Sequence, residues 1–539
     1  MKKNVVIGLN TGHDGGAAIV VDGKIVCSIS EERLNRQRYS HGYLQSFFYC
    51  LNAANLAISE ISLIMFSSYG ENLPEGYQGD LKALGLSPSK FINVDHHLSH
   101  AYSTYFLSPF DDVLVVVLDG EGNNRDTESY YIGEGQNLKK IGGNEPKRNP
   151  SKGIGRTYES FTNFLGWTDQ DAGKTMGLAS FADASSITTP LFTISGIHIS
   201  SLLEEKYEYG AMGFIAKHKL PFGEPYSRGK TQAGKLAAAY VQHQTEIITI
   251  ELIKRLVNKT GKRKLCLSGG VALNSKVNAK LIQEKIVDEI FIVPASSDRG
   301  QPLGNALYGY HVLTGNVPKT PLRNDYFGRV YSNKEILDAL QKKHNAHVGK
   351  DIPTRKLKYE KQINIVKIVA KLLAEEKIIG WFQGGSELGP RALGHRSILC
   401  DPRSMQMKDI LNQRVKHREA FRPYAPSCLF EFTTEYFNWD IPSPFMLFVT
   451  PIKENYIQKI PVVAHVDGTG RLQTVTKEDN DLYYSLIKEF YRLTNIPVVL
   501  NTSFNNQEPI VETPWDAVTT FLNTDIDYLA IGNYLVWKD

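Results

Sequence analysis

His96 and His100 stand four residues apart in Asp95-His96-His97-Leu98-Ser99-His100-Ala101. A helix over this stretch would set both imidazoles on one face, where two can chelate a metal ion. The spacing is common by chance, and a usable site needs about three or four ligands. Two carboxylates are candidates to complete it. Asp119 ends the apolar run Val113 to Leu118 and opens Asp119-Gly120-Glu121-Gly122-Asn123, a carboxylate at a strand's C-terminal end followed by backbone able to approach a ligand. Asp298 repeats the arrangement after Phe291-Ile292-Val293-Pro294, within Ser296-Ser297-Asp298-Arg299-Gly300. Either aspartate can equally cap the turn that follows it. Together His96, His100, Asp119 and Asp298 would make a nitrogen-and-oxygen site suited to iron(II), manganese or zinc, among which spacing does not choose.

Ser268-Gly269-Gly270-Val271-Ala272-Leu273-Asn274 follows a strand-like run and precedes a helical one, so its glycines let backbone N–H groups approach a nucleotide or phosphate. No Walker sequence occurs. The hairpin segment Gly12-His13-Asp14-Gly15-Gly16-Ala17-Ala18 resembles the phosphate loop of actin-like and sugar-kinase-like ATPases, and the bland reading is a glycine-rich turn.

Later in the chain, Gly384-Gly385-Ser386-Glu387-Leu388-Gly389-Pro390-Arg391-Ala392-Leu393-Gly394-His395-Arg396-Ser397 offers two arginines beside a flexible loop, as holding phosphate or carboxylate oxygens requires. Lys416-His417-Arg418-Glu419-Ala420-Phe421-Arg422-Pro423 adds Lys416, Arg418 and Arg422, a run that is usually a solvated helix face. Asn501 and Ser503, in Asn501-Thr502-Ser503-Phe504-Asn505, follow the apolar Ile496 to Leu500 and set amide and hydroxyl donors at a strand end.

The elements that must carry these groups read as α/β. Strand-like runs are Asn4 to Leu9, Ala17 to Val21 and Lys24 to Ser28, with Asp22-Gly23 as a two-residue hairpin turn. Ile61 to Phe66, Val113 to Leu118, Lys264 to Leu267, Glu289 to Val293, Ile378 to Phe382 and Ile496 to Leu500 read as buried strands, and Gly234 to Val257 and Ile363 to Glu376 as helices. The chain of 539 residues exceeds one core, so two domains are expected, with boundaries at 1–335 and 361–539 and a polar, proline-punctuated linker at 336–360. No internal repeat is visible. With 42% hydrophobic and 22% charged residues the composition is globular, and a net charge of +4 disfavours nucleic acid as a partner. The five cysteines form no C-x-x-C pair and no apolar run can span a bilayer, so a cytoplasmic protein is expected, with a homodimer left open.

These motifs, with Gly173-Lys174-Thr175-Met176-Gly177-Leu178 and Asp467-Gly468-Thr469-Gly470-Arg471-Leu472-Gln473-Thr474-Val475, resemble the nodulation-type O-carbamoyltransferase family from Ile7 to about Asp516. Gly470 stands where alanine is expected. The resemblance implies an actin-like, TsaD-like ATPase domain fused to a YrdC-like α/β domain. It implies ATP, accompanied by magnesium, held by Asp14, Gly15, Lys174, Gly177, Ser268, Gly269, Gly270 and Asn274, and one divalent metal, iron(II) foremost, on His96, His100, Asp119 and Asp298. Carbamoyl phosphate would be held by Arg391, Arg396, Lys416, Arg418, Arg422, Asn501 and Ser503, with Lys416 and Arg422 acting in its cleavage to carbamate. ATP would convert carbamate to carbamoyladenylate, and a hydroxyl of a small molecule, such as an antibiotic or other secondary metabolite, would take the carbamoyl group with His13 as candidate base. The labile carbamate gives a reason for fusing the domains. Phe181 to Gly234, where the resemblance is weakest, is expected to select the acceptor. The competing readings are a tRNA threonylcarbamoyl-modifying enzyme and a nucleotide-binding scaffold without turnover.

Overall fold

The computed structural model describes residues 3–67, 75–122, 125–144, 152–205, 207–342 and 356–539. The chain forms two compact units, Met1–Glu32 with Tyr39–Leu322, and Arg33–Arg38 with Arg323–Asp539.

The first unit carries two five-stranded sheets. In one, β1 (Val5–Asn10), β2 (Gly16–Val21), β3 (Lys24–Ser30), β4 (Leu63–Ser67) and β5 (Phe91–Asn93) lie in the order β3-β2-β1-β4-β5. The pairings of β2 are antiparallel and those of β4 are parallel. Asp22 and Gly23 close the β2–β3 hairpin with φ of 47° and 79°, the left-handed pair that suits the twist of the strands. In the other sheet, β6 (Asp112–Leu118), β7 (Glu128–Glu134) and β8 (Asn137–Gly143) form an antiparallel meander. After the separate hairpin β9 (Phe192–Ser195) and β10 (His198–Ser201), β11 (Lys264–Ser268) and β12 (Glu289–Ile292) add in parallel beside β6. Its order, β12-β11-β6-β7-β8, repeats that of the first sheet. This doubled order is the actin-like architecture, reached without any repeat visible in the residues.

Two helices are packed between these sheets. Gln301–Thr314 lies on β1, β2 and β4, His96–Phe106 lies on β6, β7 and β11, and the two helices contact each other. The approach is close because it goes through glycine. A Cβ at Gly8 would meet the Pro302 carbonyl oxygen at 1.8 Å, and one at Gly304 would meet that of Ser99 at 2.0 Å. Gln301 Nε2 donates to the His96 carbonyl and Ser99 Oγ to that of Gln301, each at 3.0 Å. The N-terminal ends of both helices are thereby pinned together.

The second unit is built on one mixed nine-stranded sheet. Its strands are β13 (Leu357–Lys361), β14 (Ile379–Phe382), β15 (Arg396–Cys400), β16 (Ala425–Leu429), β17 (Phe448–Pro451), β18 (Thr469–Val475), β19 (Val498–Ser503), β20 (Tyr528–Ile531) and β21 (Tyr534–Lys538). The order is β13-β21-β20-β14-β15-β19-β16-β18-β17. Helices Ile365–Ala374 and Asp481–Thr494 pack together beside it. The division between the units falls at Leu322 and Arg323, ahead of the expected linker. Of that linker, residues 343–355 lie outside the described residues. Helix Asn333–Gln341 runs into its start, closed by a Ser332–Glu335 capping box and packed on helix Pro514–Leu522. No described helix is long and apolar enough to cross a membrane.

Candidate functional site

Asp95 caps helix His96–Phe106 by accepting from the Leu98 N–H, and the helix does set His96 and His100 on one face. Asp119 follows β6, and Asp298 lies in the turn between β12 and helix Gln301–Thr314. One ligand atom from each of the four residues falls within 4.8 Å of all the others. His96 Nε2 is 3.1 Å from both Asp119 Oδ2 and Asp298 Oδ1, and His100 Nε2 is 3.6 and 3.4 Å from the same oxygens. His97, between them in sequence, turns away to Ser129 Oγ at 2.8 Å.

Burial pushes His96 down, but Asp298 and Asp119 outweigh it and hold the imidazole up at about 10. His100 moves the same way for the same reasons. Burial works against ionised Asp119 and Asp298, yet the facing histidines hold both carboxyls well below the usual carboxylate range. The facing carboxylates thus favour positive charge at both imidazoles, a charge that a divalent cation would supply in place of protons. His100 Nε2 is fully buried and makes no hydrogen bond, as a nitrogen built to ligate a metal would be. The donor set fits a divalent ion of the iron, manganese or zinc type.

The glycine loop adjoins this group. Ser268 Oγ is 3.4 Å from His100 Nδ1, and the Gly270 N–H donates to Asp119 Oδ1 at 2.8 Å. Gly269 has φ of 89°, and a Cβ there would strike the Leu118 carbonyl oxygen at 2.2 Å, so the ends of β6 and β11 can meet only through glycine. Asn274 caps the next helix through Val277 N–H and exchanges amide hydrogen bonds with Gln242, a structural engagement. Lys174 and Gly177 lie on helix Ala172–Leu178, with Lys174 Nζ 3.1 Å from Asp171 Oδ1.

At the hairpin, His13 Nε2 is 3.2 Å from Asp298 Oδ2, so this histidine joins the His/Asp group while its side chain stays half exposed. Gly15 is engaged by the chain that faces it. Its N–H donates to the Ser40 carbonyl, and a Cβ would meet the Gly42 carbonyl oxygen at 2.2 Å, so the glycine serves chain packing. Asp14 is likewise engaged in an ion pair with Arg299 NH2 at 3.2 Å, and that guanidinium also holds Glu32 at 3.0 Å. The signal for this network was the Arg299 that follows Asp298.

In the second unit Lys416 ends a π-helical turn, Asn412–Lys416, closed by His417 at φ of 42°, and is 3% exposed. Lys416 is therefore buried, while the residues after it, as far as Pro423, are partly or fully exposed. Lys416 Nζ donates to the carbonyl oxygens of Ser503 at 2.5 Å and Asn505 at 2.9 Å and reaches Asn505 Oδ1 at 2.8 Å and Ser503 Oγ at 3.3 Å. Burial, then the charges of Arg418, Arg422 and Arg38 with Glu508 opposing, push the ammonium well below the usual lysine range. Arg418 lies over the Tyr424 ring at 4.3 Å and is itself pushed down to about 10, by burial first. Arg422 is 3.8 Å from Glu419 Oε2.

Arg471, on β18, was missed as a site residue. Burial, then the charges of Arg391, Arg418 and Arg422, push its guanidinium well below the usual range, and its Nε is buried without a hydrogen-bond partner. Its signal was a basic residue after the two glycines of Gly468-Thr469-Gly470. Asn505 was missed as well. Arg396 is fully buried over the Phe382 ring, and its NH1 and NH2 donate to the carbonyls of Gln383, Gly384, His395 and Glu512.

The loop expected to be flexible is pinned. Glu387 Oε1 accepts from the N–H groups of Leu393, His395 and Arg396, and Asp325 Oδ2 accepts from that of Gly389. Asn501 Nδ2 bonds the Ala392 carbonyl at 3.1 Å, which makes it a holder of the Arg391 loop. A Cβ at Gly470 would meet Pro426 Cγ at 3.3 Å and Ile452 Cδ1 at 3.5 Å, so the expected alanine would fit with a slight shift.

Two family profiles match the chain, carbamoyltransferase N-terminus over residues 72–307 and carbamoyltransferase C-terminus over 370–538. Nodulation protein NolNO of Sinorhizobium fredii is 34% identical over 98% of this chain and 79% of its own length. Nodulation protein NolO of Bradyrhizobium diazoefficiens is 35% identical over 83% of this chain and 79% of its own length. Among solved structures, full-length HypF in its phosphate- and nucleotide-bound form is 15% identical, over 59% of this chain and 57% of that one, with a TM-score of 0.36. The chain is a transferase and belongs to the carbamoyltransferase family, together with these nodulation proteins.

Proposed function

We propose that the protein is an ATP-dependent O-carbamoyltransferase that takes its carbamoyl group from carbamoyl phosphate and delivers it to a hydroxyl of a small molecule. The observation that carries this reading is the buried Lys416, set among Arg418, Arg422 and Arg38 with Glu508 as the opposing charge. Burying an ammonium beside like charges is costly unless an anion is to join them. A small phosphate ester of carbamate has the charge and the size for that role.

In this reading Lys416, Arg391, Arg418, Arg422 and Arg471 hold the phosphoryl oxygens, Ser503 and Asn505 orient Lys416, and Asn501 fixes the Arg391 loop. Water converts carbamoyl phosphate to carbamate and phosphate there. Carbamate then attacks the α-phosphorus of ATP, giving carbamoyladenylate and pyrophosphate, and the acceptor hydroxyl attacks the carbamoyl carbon and releases AMP. His96, His100, Asp119 and Asp298 would hold a divalent ion, iron(II) foremost with manganese or zinc as alternatives, which supplies Lewis-acid polarisation when bound. The Gly269-Gly270 backbone lies beside that group and suits a phosphate tail, with magnesium accompanying the nucleotide. With His13 Nε2 directed to Asp298 Oδ2, Nδ1 is left to accept the proton of the acceptor hydroxyl. Hairpin β9–β10, helix Tyr207–His218 and the exposed Tyr207, Tyr209 and Tyr226 supply a surface for selecting that acceptor.

The test is to supply ATP, carbamoyl phosphate and a set of hydroxyl-bearing metabolites, and to read phosphate, pyrophosphate and a carbamoyl mass increment. Pyrophosphate release that depends on carbamoyl phosphate, with a carbamoylated metabolite, supports the reading. Label transferred to tRNA instead would identify a tRNA-modifying enzyme, and no pyrophosphate at all would leave a scaffold.

A further inference from the structure

The segment Arg33–Arg38 belongs by its contacts to the second unit although it lies near the start of the chain. Arg33 is 1% exposed and its NH2 donates to the Gly389 carbonyl at 3.0 Å, two residues before Arg391 and 356 positions away in sequence. Arg36 NH1 donates to the Ile510 carbonyl at 2.7 Å, NH2 donates to that of Pro509 at 2.6 Å, and Nε lies 3.8 Å from Asp516 Oδ1. The stretch that Arg36 grips leads back to Asn505, whose Nδ2 donates to the Glu508 carbonyl at 2.7 Å and whose Oδ1 accepts from Lys416. One short arm is thus bonded to both loops that shape the cationic site, the one carrying Arg391 and the one orienting Lys416.

We propose that Arg33–Arg38 is a positioning element of the anion site in the second unit, in which Arg33 and Arg36 fix the two loops and Arg38 adds positive charge. The proposal rests on the carbamoyl-phosphate reading given above. Purely structural arginines would be served by the carbonyl bonds alone. Arg38 goes further, since it is exposed and its charge is among those acting on Lys416, which adds attraction for an incoming anion at some cost to the buried lysine.

The full-length protein tests this with Arg36→Ala, Arg36→Lys and Arg38→Ala, read as phosphate release from carbamoyl phosphate with KM and kcat separated, and as inorganic phosphate binding by calorimetry. Arg36→Ala is expected to raise KM and phosphate Kd about tenfold, the cost of a misplaced binding group, with metal content unchanged. Arg36→Lys should recover part of the loss, because one ammonium can still bond one of the two carbonyls. Arg38→Ala, at an exposed position that does not threaten folding, should raise KM severalfold at low salt and less at high salt. Unchanged KM and Kd in both alanine variants would overturn the proposal, as would a loss in Arg36→Ala that follows melting temperature alone. If the wild type binds phosphate but releases none from carbamoyl phosphate, the substrate reading falls, and the phosphate Kd values still decide the role of the arm.

Discussion

The Gly270 amide donates to Asp119 Oδ1 at 2.8 Å while Oδ2 of the same carboxylate faces the two histidines. One side chain therefore ties the glycine loop to the His/Asp group, and a change at either is felt by the other. Asp119→Ala should weaken divalent metal binding by at least about a hundredfold, since it removes a ligand and not merely a supporting bond. Competition against a chromophoric chelator measures this, and wild-type affinity in the variant would place the ion elsewhere.

Gly269→Ala introduces a Cβ 2.2 Å from the Leu118 carbonyl oxygen at a φ of 89°. The loop must shift or stay strained, at a cost of roughly 1–3 kcal/mol. Urea unfolding should show that loss together with weaker metal binding, because the shifted Gly270 amide releases Asp119.

Arg396 and Arg471 should behave oppositely. Arg396→Ala strands several buried carbonyls and should destabilise the fold by about 2–4 kcal/mol, with little change in KM for carbamoyl phosphate in the protein that remains folded. Arg471→Met removes one of several mutually repelling charges, so stability should hold or rise while phosphate binding falls about tenfold or more. Melting temperatures and phosphate calorimetry on the two variants settle the contrast.

Anion binding should take up a proton at Lys416. Burial and neighbouring arginines hold its pKa below the ordinary 10.5, so between the lowered value and 10.5 the unfolded chain binds more protons than the native one, and stability rises with pH across that window. A bound phosphate offsets the repulsion and raises the pKa again, so within that window it draws a proton onto Lys416. Calorimetry in buffers of different ionisation enthalpy, run as a pH series up to 10.5, should show an uptake of up to one proton that grows with pH in the wild type and is missing in Lys416→Met.

Asp325 sets a pH dependence of the other sign. Burial, reinforced by Glu387, pushes its carboxyl up from 3.8 to about 7. Across that interval the native state keeps a proton that the unfolded chain has lost, so its contribution to stability falls as pH rises and levels off above about 7. Asp325→Asn keeps an oxygen for the Gly389 N–H and should remove that slope in urea melts between pH 5 and 8. An unchanged slope would assign it to other groups.

Much of the scaffold was legible because its signals are local. The Asp22-Gly23 turn, the buried apolar runs of β1 and β6, and the helical spacing of His96 and His100 are read within a few residues, and each element stands where it was expected to within a residue or two. Asp119 and Asp298 at strand ends were legible in the same way. Their convergence was not, because it depends on glycine contacts at Gly8 and Gly304 that bring two helices together over long separations in sequence.

By itself the sequence determined the α/β class, the family and which residue types are present to do chemistry, since periodicity, turn chemistry and motif order are written along the chain. Tertiary structure alone decided what each charged group does. Arg396 gives its NH1 and NH2 to backbone carbonyls and Arg471 is set among cations, yet the two are the same residue in similar glycine-rich company. The work of a guanidinium is fixed by its partners and its burial, and those are supplied by segments hundreds of residues away, as the bond from Arg36 to Ile510 illustrates.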